Sequence, residues 1–305
     1  MIKSTKDVLN SKSYSSKRLD TSAINSLNEN GYCLLPPKNH FWEWIGADQK
    51  EIRKIINKLI EKEGPTAGSE GKEEFTVKKN RKLEAKANRV GNLLNKNFIM
   101  KKCATLPEIV WGSYEVIKED IKLSSILFRE PILNSGNQEL HIDWHPRKSV
   151  KDTFKDVVSF MYLEDSTKQN GATKLVPKSH KILGYPAEHT NPFKPYEKEI
   201  QLEAEAGSIL ILNANTWHRG GDNSIGQKRG VLAVDYRSRD LKQLLNLYLY
   251  IDKDVRKEFN EVEKYLFGLR ETDARQNEKS YGPGELYRTW LKKNPQYDYS
   301  KNDAN

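Results

Sequence analysis

Residues 139–145 read Glu-Leu-His-Ile-Asp-Trp-His and place a histidine and an aspartate at alternate positions. Alternation is the period of a β-strand, in which residues i and i+2 project from the same face. We therefore expect the side chains of His141 and Asp143 to point the same way from an extended segment. Short runs rich in Val, Ile, Leu and Phe at 156–163 and 208–212 extend the pattern of strands beyond this segment.

A third metal-ligand side chain, His218, follows far downstream in Asn-Thr-Trp-His. Two imidazoles and one carboxylate can occupy one face of an octahedral metal, which leaves three positions for other ligands. This set is typical of non-haem Fe(II) oxygenases. Two other interpretations stay open, because a histidine in a His-x-Asp pair is often only a hydrogen-bonded structural residue. His145 could also join His141 and Asp143 in a zinc hydrolase, although Pro146 restricts its backbone.

The residues after His218 favour a site that binds a carboxylate. A turn-rich loop at 220–226 leads to Arg229, which opens the apolar run Val-Leu-Ala-Val at 231–234. This order predicts strand, loop and strand, so Arg229 can lie beside His218. A guanidinium is a planar fork that matches the geometry of a carboxylate.

Together these residues resemble the phytanoyl-CoA dioxygenase family of Fe(II)- and 2-oxoglutarate-dependent oxygenases. The resemblance covers roughly residues 21–240 and extends beyond the metal ligands. The other matching segments are Asn30-Gly31-Tyr32, Asn88-Arg89-Val90, Asn170-Gly171, Val176-Pro177-Lys178-Ser179-His180-Lys181 and Ala206-Gly207-Ser208-Ile209-Leu210.

The resemblance implies an iron enzyme that uses 2-oxoglutarate and O2 and releases succinate and CO2, most commonly with hydroxylation of its substrate. It implies that His141, Asp143 and His218 hold the metal and that Arg229 binds the far carboxylate of 2-oxoglutarate. Phe160 is the nearest match to a family residue that stacks on this co-substrate. Related halogenases leave room for chloride where this chain has Asp143, so we expect no halogenation.

The sequence also departs from the family at Gly220, where a hydroxyl residue is common. For the substrate, we predict contacts from Arg89, His145 and Arg147, the last because it lies just past the metal segment and could bind an anionic group. The chain does not reveal which small molecule is the substrate. A zinc hydrolase or a non-catalytic jelly-roll binding protein are the alternative functions, and Arg229 favours the oxygenase because hydrolysis needs no such residue.

The strand pattern predicts a mainly β fold with flanking helices, a double-stranded β-helix or cupin-like jelly roll. We expect residues 1–20 to form a flexible arm, residues 21–305 one oxygenase domain, and residues 64–88 a flexible loop, and the sequence leaves open whether this loop covers the site. The predicted jelly-roll core is 121–238. Its eight candidate strands are 121–130, 138–144, 156–164, 172–176, 198–204, 208–213, 215–219 and 229–237.

The composition narrows the range of partners. The chain has 305 residues and a net charge of +9, but its lysines are scattered, and we find no zinc-finger spacing and no RNA-binding motif. Cys33 and Cys103 form no disulfide framework, and we expect both thiols to be inert core residues. We predict a cytoplasmic enzyme that acts on a small molecule and has no nucleic acid or membrane partner. The sequence leaves its oligomeric state open.

Overall fold

The structure is a computed structural model that describes residues 2–64, 87–244, 246–270 and 290–299. Helices precede and follow a central set of nine strands. The strands are β1 (Tyr32–Leu35), β2 (Ala87–Val90), β3 (Ile121–Pro131), β4 (Asp156–Tyr162), β5 (Lys174–Leu175), β6 (Ile200–Gln201), β7 (Ile209–Asn213), β8 (His218–Arg219) and β9 (Val231–Ser238). The helices are α1 (Thr5–Leu9), α2 (Lys12–Ser15), α3 (Thr21–Asn30), α4 (Asn39–Ile45), α5 (Gln49–Glu63), α6 (Leu93–Lys96), α7 (Phe98–Ala104), α8 (Pro107–Ile117), α9 (Leu247–Tyr250), α10 (Lys253–Lys257) and α11 (Glu261–Leu266).

The nine strands form two antiparallel sheets. The main sheet has six strands in the order β1-β7-β4-β9-β3-β2, and the minor sheet has three in the order β6-β5-β8. Neighbours in each sheet are far apart in the chain, as expected when a ribbon of strands is wound into two facing sheets. The prediction of a jelly roll with flanking helices is confirmed.

Alternation along the strands gives the main sheet two different faces. One face packs on the helices and contributes Val157 and Met161 to the largest apolar core. The opposite face, here called the inner face, turns toward the minor sheet. There Val158 of β4 packs with Leu175 of β5, and Tyr162 packs with Ala204. The space between the two sheets is where the candidate site lies.

Helix α5 follows the signals in its sequence. Asp48 accepts a hydrogen bond from the backbone N–H of Glu51, and Glu51 accepts one from that of Asp48. This reciprocal cap satisfies backbone groups that the first turn leaves unpaired. Ile52 and Ile56, one turn apart, are fully buried. The helix ends at Gly64, and α8 likewise occupies the predicted segment after Pro107.

The N-terminal residues correct the prediction of a flexible arm at 1–20. Val8, Leu9 and Tyr14 on α1 and α2 are buried in the largest core. The backbone N–H of Thr5 donates to Asp120 Oδ1 at 2.7 Å, and its hydroxyl accepts from the backbone N–H of Ile121 at 2.9 Å. A few apolar residues and long-range hydrogen bonds therefore order a segment whose composition is mostly polar. The single domain over 21–305 stays a prediction.

The predicted flexible loop, residues 64–88, lies mostly outside the described residues. Three predicted strands of the minor sheet are shorter than expected. The predicted ranges 172–176, 198–204 and 215–219 each contain a strand of only two residues.

Within the ranges that the structure describes, no helix combines the length and the apolar character needed to cross a membrane.

Candidate metal centre and its surroundings

The segment 138–144 is not the regular strand that its alternation predicted. Its backbone N–H groups donate mainly to the segment 214–220, from Gln138 to Gly220, His141 to His218 and Asp143 to Ala214, whereas that of Leu140 donates to Pro192. These hydrogen bonds are too widely and unevenly spaced to form a regular ladder, so the segment is irregular. Its side chains still alternate, because Leu140 and Ile142 are buried in an apolar cluster with Trp217. His141 and Asp143 project to the other side, as predicted.

Strand β8 brings the distant histidine to this segment. The backbones of His141 and His218 exchange two hydrogen bonds, each 2.9 Å long, as an isolated antiparallel bridge. On its other side β8 pairs with β5, where His218 lies opposite Leu175. Backbone pairing on both sides therefore fixes the position of His218, whose side chain is 5% exposed.

The side chains of His141, Asp143 and His218, here called the metal triad, converge. Nε2 of His141 lies 3.6 Å from Oδ1 of Asp143, and Nε2 of His218 lies 3.2 Å from Oδ2. The candidate ligand atoms are all within 4.8 Å of one another, and the two ring centroids are 4.4 Å apart. Two nitrogens and one carboxylate oxygen at this spacing can share one metal ion.

Hydrogen bonds to the backbone fix both imidazoles in the form that a metal ligand needs. Nδ1 of His141 donates to the carbonyl of Glu139 at 2.8 Å, and Nδ1 of His218 donates to that of Thr216 at 2.9 Å. With the proton of each neutral ring held on Nδ1, each Nε2 keeps its lone pair for coordination. Such a partner behind a ligating histidine sets its tautomer and orientation.

Electrostatics also prepares the metal triad for a cation. Burial and the neighbouring His218 lower the pKa of His141 to about 4, so this ring is neutral at neutral pH. Burial acts to raise the pKa of Asp143, but His218 and His141 outweigh it and bring the pKa down to about 2. Burial opposes the protonation of His218, whereas the Asp143 carboxylate raises its pKa overall. A bound cation would replace that proton beside the carboxylate.

Arg229 lies where the sequence predicted, just before β9, and is 3% exposed. Its Nε donates to the carbonyl of Asn170 at 3.3 Å, whereas its buried Nη2 has no partner. Sequence reasoning missed Tyr162, a fully buried residue close enough to Arg229 for their charges to interact. The Tyr162 hydroxyl lies 3.4 Å from that of Thr173. A guanidinium nitrogen without a partner, near two hydroxyl groups, forms a cradle for a carboxylate.

Gly220 has room for no side chain. A Cβ atom built on it would lie 2.5 Å from the carbonyl oxygen of Gly136. The hydroxyl that is common at this position in the family is therefore sterically excluded here, whereas the hydroxyl of Tyr162 is close enough to interact electrostatically with Arg229.

Two further arginines, Arg89 and Arg129, lie on the inner face. They are directly opposite each other in the antiparallel pairing of β2 with β3, so their side chains share a face. Arg129 is also opposite Val231 of β9, a residue of the inner apolar cluster. The sequence pointed to Arg89 but missed Arg129, because an arginine in an apolar strand gives no signal of what it faces.

Phe160 lies on the inner face of β4, half-buried and opposite Ala233 of β9. It packs against both inner clusters, alongside Leu202. This places an aromatic ring between the sheets, and its stacking on a co-substrate stays a prediction.

His145 is not part of the metal triad. It is exposed, and its ring packs edge-on against Trp144 at 5.2 Å between centroids. Among the described residues, the one cluster able to hold a metal contains His218 rather than His145. The alternative ligand set for a zinc hydrolase is therefore wrong, because the irregular backbone after Asp143 directs His145 outward.

The guanidinium of Arg147 is already occupied by the protein itself. It stacks over Phe154 at 4.5 Å. It also donates to four backbone carbonyls, those of Val150, Asp152, His180 and Lys181. These contacts tie the loop after the metal segment to the turn at 179–181, and they correct the prediction that Arg147 binds substrate.

Arg237, which the sequence analysis did not identify, packs against Trp144 of the metal segment. Nη2 of Arg237 lies 3.0 Å from Oδ2 of Asp156 and 3.1 Å from Oδ2 of Asp235. The same guanidinium lies 4.8 Å over the ring of Trp144, the residue after Asp143. Burial and the nearby Asp235 raise the pKa of Asp156 well above its ordinary value. This shift favours the protonated form of the Asp156 carboxyl and leaves Asp235 as the carboxylate that balances the Arg237 guanidinium.

Comparisons with known proteins identify the family and the fold of this chain. The family model for phytanoyl-CoA dioxygenase (PhyH) matches residues 27–231. Dioxygenase af480 of Aspergillus fumigatus is 27% identical over 104 residues, which are 34% of this chain and 33% of that protein. The matched region thus spans only about a third of this curated relative.

Two solved structures share the fold at low sequence identity. HygX from Streptomyces hygroscopicus, with nickel, 2-oxoglutarate and hygromycin B bound, has a TM-score of 0.55 and 14% identity; the match covers 74% of this chain and 90% of HygX. The 2-oxoglutarate-dependent carbocyclase SnoK from nogalamycin biosynthesis has a TM-score of 0.54 and 16% identity, and the match covers 74% of this chain and 86% of SnoK.

Proposed function

Because this chain belongs to the phytanoyl-CoA dioxygenase family, we propose that it is an Fe(II)- and 2-oxoglutarate-dependent oxygenase that hydroxylates a small molecule. The observation that carries this proposal is the metal triad. Two Nε2 atoms and one carboxylate converge, and both Nδ1 atoms are engaged by backbone carbonyls. This donor set fits Fe(II), which accepts imidazole and carboxylate ligands and keeps open positions for other molecules.

In this proposal His141, Asp143 and His218 hold the iron. When iron, 2-oxoglutarate and O2 are bound, they supply the oxidising chemistry, with succinate and CO2 as co-products. The protein supplies ligands, orientation and a space shielded by the two sheets. His218 and Arg229 are buried, whereas the side chains of His141 and Asp143 are 25% and 29% exposed, so the metal triad is open to ligands on one side.

Arg229 binds the far carboxylate of 2-oxoglutarate. Its Nη2 is buried and has no partner among the described residues, so it is available for a charged ligand. Leaving such a donor unsatisfied is costly, and a carboxylate would satisfy it with a short, charge-assisted hydrogen bond. The Tyr162 hydroxyl is the second donor that we assign to this carboxylate, and Phe160 packs along the co-substrate from the inner face.

Hydroxylation is the reaction that we propose among those this metal set supports. Asp143 fills the position that halogenases leave to chloride, so the substrate meets a site with a full set of protein ligands. The SnoK relative shows only that a ring-forming enzyme shares the fold, and its chemistry is not carried over to this chain.

The test is the formation of succinate from 2-oxoglutarate by the purified protein, with Fe(II) and O2 present and then with each omitted. We expect a slow succinate signal without substrate, which needs all three components and is strongly stimulated by the right small molecule. Arg229→Ala should remove most of the signal at low 2-oxoglutarate. Succinate formation that continues without iron would contradict the proposal.

A further inference from the structure

The inner face carries two cations that no described residue neutralises. Arg89 and Arg129, here called the arginine pair, are directly opposite each other on β2 and β3. In the described part of the chain, neither guanidinium makes an ion pair or a hydrogen bond, and the Nε of each is buried without a partner. Burial and the charges of Arg89 and Arg229 lower the pKa of Arg129 to about 9.

Two described carboxylates, Glu130 and Glu164, are engaged elsewhere. Glu130, beside Arg129, turns to the opposite face, where it accepts hydrogen bonds from Arg53 at 2.5 Å and from Asn88 at 2.8 Å. Glu164 lies 3.2 Å from Arg53 and accepts a hydrogen bond from the backbone N–H of Gly230. Neither carboxylate is free to balance the arginine pair.

Arg129 lies near the metal triad, because its Nη1 is 3.6 Å from the position that a Cβ on Gly220, two residues after His218, would occupy. Its charge acts on His141, Asp143 and His218, and Asp143 in turn acts on Arg129. Two like charges placed together beside a metal site repel each other and oppose binding of a cation. A ligand that brings negative charge would relieve this repulsion.

The ligands of the proposed function bring too little negative charge to balance the arginine pair. In the loaded site, Fe(II) and Arg229 are balanced by Asp143 and the two carboxylates of 2-oxoglutarate. The two positive charges of the arginine pair remain, in a partly buried space where an unpaired charge is costly. The component still to be added is the substrate.

We propose that the substrate carries an oxyanion group, a carboxylate or a phosphate, which binds across the arginine pair and so places the rest of the molecule beside the metal triad. This inference rests on the proposed function for the identity of the reaction, but the binding of the anion can be measured without it. Arginine suits such a group, because its planar fork gives two parallel hydrogen bonds.

The experiment titrates inorganic phosphate, and in parallel acetate, into the wild-type protein, both metal-free and loaded anaerobically with Fe(II) and 2-oxoglutarate. Thermal stability is the readout, because a ligand that binds only the folded state raises the Tm. We expect saturable stabilisation by at least one anion in both forms. Arg89→Gln and Arg129→Gln should each weaken this binding about 10-fold or more.

The matched control is Lys253→Gln, which removes the same charge from an exposed residue at the start of α10. It should bind the anion like the wild type. Arg129→Gln should also raise the Tm of the anion-free protein, because it relieves the repulsion within the arginine pair. A variant that merely damages the fold would lower it.

Two results would overturn the inference. One is the absence of saturable stabilisation by either anion. The other is competition between the anion and 2-oxoglutarate, together with a large rise in the KM for 2-oxoglutarate in Arg129→Gln, which would assign Arg129 to the co-substrate. If 2-oxoglutarate does not bind at all while phosphate still depends on Arg89 and Arg129, the proposed function fails and the anion site stands.

Discussion

The backbone of His141 is hydrogen-bonded in both directions to that of His218, at 2.9 Å each way, and this bridge joins the irregular metal segment to the minor sheet. It brings the two imidazoles to 4.4 Å between centroids, with each Nδ1 bonded to a backbone carbonyl and each Nε2 turned toward Asp143. The metal triad is thus fixed by main-chain pairing rather than by a loop, which suits a site that must hold its geometry while ligands exchange.

Replacement of Arg229 should separate binding of the co-substrate from binding of the metal. In Arg229→Ala, Fe(II) affinity should change little, since the metal triad is untouched, while the apparent KM for 2-oxoglutarate should rise about 10-fold or more. Arg229→Lys keeps the charge but loses the fork, so it should recover only part of the affinity. Steady-state kinetics with 2-oxoglutarate and with a 2-oxo acid that lacks the second carboxylate would check this. Equal losses for both co-substrates would show that Arg229 is structural.

Substitutions at Gly31 and Gly46 together test how tightly the residues beside His218 are packed. Both have positive φ, 84° and 79°, so alanine is strained at either position by about 1–2 kcal/mol. A Cβ on Gly31 would lie 2.3 Å from the hydroxyl oxygen of Thr216, whereas a Cβ on Gly46 meets nothing within 4 Å. Gly31→Ala should therefore lower the free energy of unfolding by about 1–3 kcal/mol more than Gly46→Ala. Denaturant titration measures both, and equal losses would contradict the crowding at Gly31.

The two carboxyl groups around Arg237 should respond differently to removal of charge. Asp156 has a raised pKa in the folded state, so the folded protein keeps a proton that the unfolded chain loses above about 3.8. Ionisation of the unfolded state therefore costs stability as the pH rises from that value toward the folded pKa. Asp156→Asn should remove this cost and become more stabilising, relative to wild type, as the pH rises.

Asp235→Asn is the control for that prediction. It removes a carboxylate that lies 3.1 Å from Arg237, so it should destabilise the protein at neutral pH. Thermal melts from pH 5 to pH 8 compare the two variants. Parallel losses of stability in both, without a dependence on pH, would mean that Asp156 is ionised in the folded protein.

The two thiols should be unreactive in the native protein. Burial raises the pKa of Cys33 to about 12 and that of Cys103 to about 12, and a thiol alkylates only as the thiolate. At pH 8 both residues are therefore protonated and shielded. Iodoacetamide labelling followed by mass spectrometry should find almost no modification until denaturant is added. Rapid labelling of either native thiol would contradict the burial described here.

The sequence predicted the parts of the site whose chemistry is written in residue type and spacing. His141 and Asp143 were identified from alternation, and His218 and Arg229 from the strand, loop and strand that follow. The capping residue Asp48 likewise predicted the start of α5. These signals depend on residues close together in the chain, so a single sequence is enough to detect them.

What the sequence did not predict depends on partners far away in the chain. Residues 5–15 are mostly polar, yet Tyr14 is buried. Its hydroxyl is satisfied there by donating to the carbonyl of Thr105, 91 residues away in the chain. Arg129 and Tyr162 occupy ordinary strand positions, and only the packing of the two sheets shows what they face. The outward turn of His145 follows from irregular hydrogen bonding that alternation does not anticipate. The cytoplasmic location and the absence of nucleic acid partners stay predictions.

The central claim is that His141, Asp143 and His218 hold an Fe(II) ion to which 2-oxoglutarate binds. Anaerobic titration of Fe(II) and 2-oxoglutarate into the protein, followed by visible absorption, tests it most directly. The account predicts a weak charge-transfer band in the wild type, its loss in His141→Ala and in His218→Ala, and its retention in His145→Ala, which removes the neighbouring histidine that lies outside the metal triad. An unchanged band in both His141→Ala and His218→Ala, or its loss in His145→Ala alone, would contradict the assignment.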